Sequence, residues 1–187
     1  MLPKNKIHLT IKPNMYIYLA LLLFLIPIPW LLAWFIALAF HEFCHWVGVK
    51  LCGGSVLELV VGIGGVRMRC SPMPEKSRLL TIIVGPLGGF ILAMAGSMLP
   101  RTALCSWALS AYNMLPFSFL DGGKSLEILT GANTAASIEK ILLVLLSFAA
   151  IYTAITLKLG ILPLAIIAGL WLKSRNSPCK PSVCKVQ

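Results

Sequence analysis

Acidic residues and histidines are rare in this sequence. Only six Asp and Glu and three His occur among 187 residues, and charged residues of both signs make up 12% of the chain. Hydrophobic residues make up 58%, and the mean hydropathy is +0.89. A soluble globular domain has about 25% charged residues, so this composition excludes that class and indicates a membrane protein.

The sequence also lacks a basic face and a cysteine framework. The net charge of +10 arises from 16 Lys and Arg that are scattered between apolar runs, so nucleic acid is not an expected partner. The six cysteines show no repeated spacing and are expected to be free thiols. Cys179 and Cys184 are close in the polar tail, but two ligands alone make a poor zinc site.

Apolar runs predict about six transmembrane helices. They cover residues 14–27, 30–49, 79–99, 103–119, 138–157 and 159–172. A bilayer core about 30 Å thick requires roughly 20 apolar residues per helix, so this length accommodates about six spans and no second domain. No small-residue cleavage site follows the basic N-terminus, so the first run is expected to be a span and not a signal peptide. Pro27 and Pro29 predict a tight hairpin after it.

The positions of the basic residues predict an orientation in the bilayer. With a cytoplasmic N-terminus, six spans leave only Arg101 and Lys158 of the 16 Lys and Arg on the outer side. We therefore expect both termini in the cytoplasm. The expected organisation is a single membrane domain over residues 1–173, followed by a short basic cytoplasmic tail over residues 174–187.

Two of the three histidines and one of the six acids occur together, where His41–His45 reads HEFCH and matches HExxH. Residues four apart lie on one face of a helix, so both imidazoles can reach one metal ion, with Glu42 beside them. The alternative is a chance motif whose histidines only pack between helices. Ionisable residues in a membrane span are costly, which favours the functional interpretation. His8, in the polar N-terminal segment, is expected to be solvated.

A catalytic zinc ion needs three protein ligands and a water molecule, so a third ligand must come from elsewhere in the chain. No third histidine lies in an apolar run, which leaves an acid or a thiolate. Asp121 is the candidate, because spans two and four run in the same direction and end near the same membrane face. Pro116 and Gly122–Gly123 are expected to break the helix and present Asp121 sideways. An ordinary turn aspartate is the alternative.

These residues resemble the site-2 protease family of intramembrane zinc metalloproteases. HEFCH lies on one span, and Asn113–Gly123 follows with the pattern NxxPxxxLDGG. The resemblance covers about residues 7–130. The compact form, with no inserted soluble domain, looks most like the stage IV sporulation proteases, which cleave a membrane-associated sigma-factor precursor.

The resemblance implies that His41, His45 and Asp121 bind one Zn²⁺ ion per chain. It also implies that Glu42 is the general base, and that Asn113 positions the substrate or stabilises the tetrahedral intermediate. The expected partners are a membrane-associated protein substrate, the lipid bilayer and a regulatory membrane protein. The expected location is the bacterial cytoplasmic membrane.

Two glycine-rich segments gain an interpretation from this resemblance. Gly62–Arg69 would be a short strand or re-entrant turn near the site, able to pair with an unwound substrate. Gly85–Gly89 would open the third span and allow close helix packing. Many family members carry Asn at the position of Gly89. The expected fold class is therefore an all-α membrane protein of about six helices, with a short re-entrant or β-like loop near the active site.

Other classes fit the sequence less well. A metal carrier would distribute polar residues along a path through several spans, whereas here they gather at one depth. A catalytically silent relative would lack a ligand or the base, and neither is missing. A different zinc protease would take its third ligand from Glu127 or Glu139, but both are expected to be loop or helix-end charges. Glu58 is likewise expected to be a loop acid.

Overall fold

A computed structural model describes residues 8–62, 65–156, 161–175 and 185–186. The helices in these ranges are α1 Asn14–Leu25, α2 Ile28–Leu51, α3 Glu75–Ala93, α4 Pro100–Asn113, α5 Asp121–Thr130, α6 Ala132–Thr156 and α7 Leu162–Arg175. The strands are β1 His8–Ile11, β2 Val56–Gly62, β3 Gly65–Cys70 and β4 Lys185–Val186. Two compact units divide the chain, one running to Met114 and including β4, the other beginning at Leu115.

In the first unit, α2, α3 and α4 pack against one another. The predicted break between the first two helices is confirmed. Helix α1 ends at Leu25, and Pro27 precedes the first residue of α2, where its missing N–H costs no helical hydrogen bond. Glycines bring the helices close together: a Cβ at Gly48 would lie 3.3 Å from the Thr81 Cα of α3.

A four-stranded sheet with the order β1-β2-β3-β4 accompanies these helices. Strand β1 pairs with β2 in parallel, and the other pairs are antiparallel. The fold is mostly helical, as expected, and the predicted β-like loop is one part of a small sheet. Glu58 is a strand residue of β2 and not a loop acid, and its carboxylate accepts a hydrogen bond of 3.0 Å from Arg69 on β3.

In the second unit, α5 packs on α6, and α6 packs on α7. Its buried core is formed by Phe117, Phe119 and Leu120, which precede α5, together with Leu143 of α6. The rings of Phe117 and Phe119 stack with centroids 5.4 Å apart. The segment Leu115–Leu120 is thus a packed connection and not an extension of the preceding helix.

Three of the described helices, α2, α3 and α6, are long and apolar enough to cross a membrane. Helix α1 is apolar but shorter, and α4 and α7 have 14 residues each. The protein is a membrane protein, while the count of six spans and the orientation stay predictions.

Two helices end earlier than predicted: the third at Ala93 and not at residue 99, and the fourth at Asn113 and not at residue 119. The residue before a proline is disfavoured in helical conformation, and Pro116 follows shortly after Asn113. The single domain over residues 1–173 stays a prediction. Lys158, Cys179, Cys184 and most of the predicted tail lie outside the described residues.

Candidate metal centre

Helix α2 presents His41 and His45 on one buried face. Their exposed fractions are 2% and 0%, and their Nε2 atoms lie 3.2 Å apart. Two nitrogens bound to one zinc ion at 2.0–2.1 Å in tetrahedral geometry would be about 3.3 Å apart. The two imidazoles are thus already spaced as a pair of zinc ligands, which is the arrangement that the i, i+4 spacing predicts.

A backbone carbonyl of α3 orients the second histidine. His45 Nδ1 lies 2.8 Å from the Thr81 carbonyl oxygen, so Nδ1 carries the proton and donates, and Nε2 is the ligating nitrogen. Metal-binding histidines commonly donate their second ring N–H in this way, which fixes the tautomer and the ring orientation. Sequence reasoning missed Thr81, because a carbonyl is common to all residues and leaves no residue-type signal.

Gly85 of α3 provides the space for the His45 ring. A Cβ at this position would overlap the ring, with Cδ2 2.7 Å away and Nε2 and Cε1 closer still. A Cβ at Gly88, one turn along the helix, would overlap the sulfur of Cys44. Close helix packing by this glycine-rich segment is confirmed, although the segment lies in the second half of α3 and does not open it.

Gly89 faces α4. Its carbonyl oxygen accepts a 2.7 Å hydrogen bond from Ser106 Oγ, and a Cβ at this position would overlap Ser110 Oγ. The Ser110 side chain is fully buried. An Asn at this position would therefore require a shift of α4, because serine side chains of α4 occupy that space.

Asp121 is 2% exposed and is the first residue of α5. Lys124 Nζ, one turn further on, lies 3.3 Å from its Oδ1. The prediction that Asp121 ends the fourth span is wrong, because the connection Leu115–Leu120 separates it from α4. The expectation that Gly122 and Gly123 break the helix is also wrong, since both lie in the first turn of α5. A Cβ at Gly123 would overlap the Phe117 carbonyl, so this position has no room for a side chain.

Three buried residues have side chains of the kinds that hold metal ions: His41 and His45 of α2, and Asp121 of α5. Two imidazole nitrogens and a carboxylate oxygen are a donor set that suits zinc. Glu42, next to His41 on α2, is half-buried.

Asn113 is the last residue of α4 and is half-buried. Its Nδ2 donates to the Leu109 carbonyl at 3.0 Å, within its own helix. An amide nitrogen has two protons, so this contact still leaves one donor for a substrate. The predicted role of Asn113 stays a prediction.

The remaining acids have different environments. Glu127 is half-buried on α5, whereas Glu139 lies eight residues into α6 and is only 6% exposed. The interpretation of Glu139 as a loop or helix-end charge is therefore wrong. His8 is exposed, as expected.

The fold matches that of a solved protein, the site-2 protease from Methanocaldococcus jannaschii. The two structures align with a TM-score of 0.60 over 90% of this chain and 88% of the other, at 18% sequence identity. No protein-family model and no curated protein matches the chain. The chain therefore has the fold of a site-2 protease.

Proposed function

We propose that this chain is an intramembrane zinc metalloprotease, which hydrolyses a peptide bond in a membrane-associated protein. The observation that carries the proposal is the buried histidine pair His41 and His45 on one helix, in a chain with the fold of a site-2 protease. The 3.2 Å separation of the two Nε2 atoms supports zinc, because it suits tetrahedral coordination.

The two histidines and Asp121 would hold the ion, and their neighbours orient them. His45 is oriented by the Thr81 carbonyl, and Asp121 by Lys124. Zinc bound there would supply a Lewis acid for the scissile carbonyl and an activated water molecule. The burial of all three side chains excludes bulk water, which strengthens electrostatic interactions in the site.

Glu42 is the proposed general base. Its carboxylate would take a proton from the attacking water and then deliver it to the leaving amine, as in other HExxH enzymes. The amide of Asn113 would hold the substrate carbonyl through the N–H that is not donated to Leu109.

The proposed substrate is a membrane-associated protein with a stretch that unwinds easily, because a helical peptide bond is shielded by its own backbone. The small sheet supports this class of substrate, since an extended segment can add to a sheet edge through main-chain hydrogen bonds. More specifically, we propose a sporulation sigma-factor precursor as the substrate, because the compact form of this chain resembles the stage IV sporulation proteases. The cytoplasmic membrane of a bacterium is the proposed location.

The test compares wild type, Glu42→Gln and a control, Glu127→Gln, against a panel of tagged single-span bacterial membrane proteins that includes a sigma-factor precursor. We expect about one zinc per chain in all three proteins. Cleavage by Glu42→Gln should fall by at least about 100-fold, because a positioned general base contributes roughly 10²–10⁴-fold. The Glu127→Gln variant should cleave like wild type.

Other outcomes separate the rival classes. Absence of zinc from all three proteins would refute the metalloprotease. Zinc without cleavage of any substrate would indicate a silent relative, and zinc uptake into vesicles containing the purified chain would indicate a carrier.

A further inference from the structure

Glu139 is a buried acid that the proposed chemistry does not use. It lies in α6, one of the helices long and apolar enough to cross a membrane, and it is 6% exposed. Glu139 and Lys140 are the only charged residues of α6, and Lys140 is exposed. An ionisable side chain buried in such a helix is costly, so its position requires an explanation from its contacts.

Both oxygens of Glu139 contact one residue, Ser118. The Ser118 backbone N–H donates to Oε2 at 3.2 Å, and the Ser118 hydroxyl donates to Oε1 at 3.3 Å. The carboxylate therefore receives two hydrogen bonds from the middle of the connection Leu115–Leu120. A backbone N–H in a non-helical connection needs such a partner, since it has no helical one.

The same connection determines where α5 begins, and therefore where Asp121 lies. Leu120 N–H donates to the Phe117 carbonyl at 2.8 Å, and the Leu120 carbonyl accepts the Lys124 N–H at 3.1 Å to start the helix. Ser118 lies between the two buried residues Phe117 and Phe119, three positions before Asp121. Movement of Ser118 would thus be transmitted directly to the first residue of α5.

A second contact with α6 lies one turn beyond Glu139. Leu143 packs in the core formed by Phe117, Phe119 and Leu120. This apolar contact resists separation of the connection from α6, but it is non-directional. The two hydrogen bonds to Glu139 are directional and set the rotation and register of the connection.

We propose that Glu139 is a positioning residue for the metal site: through Ser118 it holds the connection that places the Asp121 carboxylate. The inference rests on the proposed function, because Asp121 must be a zinc ligand for its position to matter. Glu139 itself would contact neither the ion nor the substrate. It would act only on the geometry of the third ligand.

The test uses the full chain in detergent and four variants: Glu139→Gln, Ser118→Ala, Ser118→Thr and the double variant Ser118→Ala/Glu139→Gln. Glu127→Gln, which removes an acid from α5, is the matched control. Zinc affinity is measured by competition with a chelator on folded protein, and kcat and KM are measured on a cleaved substrate.

We expect Glu139→Gln to weaken zinc binding by about 10-fold, within the range found for groups that orient metal ligands, because a neutral amide makes weaker hydrogen bonds to Ser118 than a carboxylate does. The kcat value should fall, with KM within about twofold. Ser118→Ala should have a smaller effect, Ser118→Thr should behave like wild type because it keeps both donors, and the double variant should be no weaker than Glu139→Gln.

Two outcomes would overturn the inference, and they are distinguishable. If the variants melt at lower temperature but bind zinc and turn over substrate like wild type, Glu139 only stabilises the fold. If wild type itself binds no zinc, the proposed function fails and the inference fails with it.

Discussion

Substitution of Gly85 by alanine should abolish the metal site while changing very few atoms. The new Cβ would overlap the His45 ring, whose Cδ2 lies 2.7 Å from the Cβ position and whose Nε2 lies closer. Ordinary contact requires about 3.4–4 Å between such atoms, so the ring would have to move by roughly 1 Å. Movement of that size would also break the 2.8 Å hydrogen bond from Nδ1 to the Thr81 carbonyl.

The expected effects on zinc and on folding differ in size. Zinc–ligand distances tolerate changes of only about 0.2 Å, so we expect zinc affinity to fall by at least about 100-fold, and cleavage with it. Overpacking costs about 1–3 kcal/mol, but alanine is favoured over glycine in a helix by about 1 kcal/mol. The net loss of stability should therefore be small, and the protein should still fold.

The assay measures bound zinc by mass spectrometry, affinity by chelator competition, and the melting temperature in detergent. The matched control is Gly169→Ala in α7, where an added Cβ meets nothing within 4 Å. The control should bind zinc like wild type. Wild-type zinc affinity in Gly85→Ala would refute the reasoning, because the His45 ring would then not be held where the structure places it.

Substitution of two further glycines by alanine should also change zinc binding or stability. Gly123→Ala should lower bound zinc by at least about 10-fold, because its Cβ would overlap the Phe117 backbone and displace the start of α5; normal zinc content by mass spectrometry would contradict this. Gly89→Ala should lower stability by about 1–2 kcal/mol through overlap with Ser110 Oγ. Ser110→Ala, which removes a buried hydroxyl that makes no hydrogen bond, should restore the melting temperature in the double variant, and no restoration would contradict the overlap.

The part of the site that could be predicted from the sequence is local. The distance between the His41 and His45 side chains depends only on the helical repeat. Their spacing of four residues was therefore enough to predict that both could bind one metal ion. The pattern around Asp121 singled out a residue that is buried, but it did not predict that this residue begins α5. Hydropathy counted Phe117 and Phe119 as part of a fourth span, whereas these side chains, together with Leu120, form the core of the second unit.

The parallel pairing of β1 with β2 could not be predicted for a different reason. His8 pairs with Glu58, fifty positions later in the chain. The four residues of β1 alternate between polar and apolar, but the strand is short and all four are exposed. Periodicity identifies a strand only when one of its faces is buried. The sequence therefore predicted a β-like segment only near Gly62–Arg69.

Gly85 and Glu139 show why the surroundings of a candidate metal ligand are harder to predict than the candidate ligand itself. Glycine in a helix interior costs about 1 kcal/mol relative to alanine, so a buried helical glycine requires a neighbour that needs the space. Here the neighbour is His45, forty positions earlier, and for Glu139 it is Ser118, twenty-one positions earlier. In both cases the reason for the residue type is a group on another segment of the chain. The neighbouring sequence of Gly85 therefore indicates only helix packing, and that of Glu139 only a surface charge. Their relation to the proposed metal site becomes visible only in the folded chain.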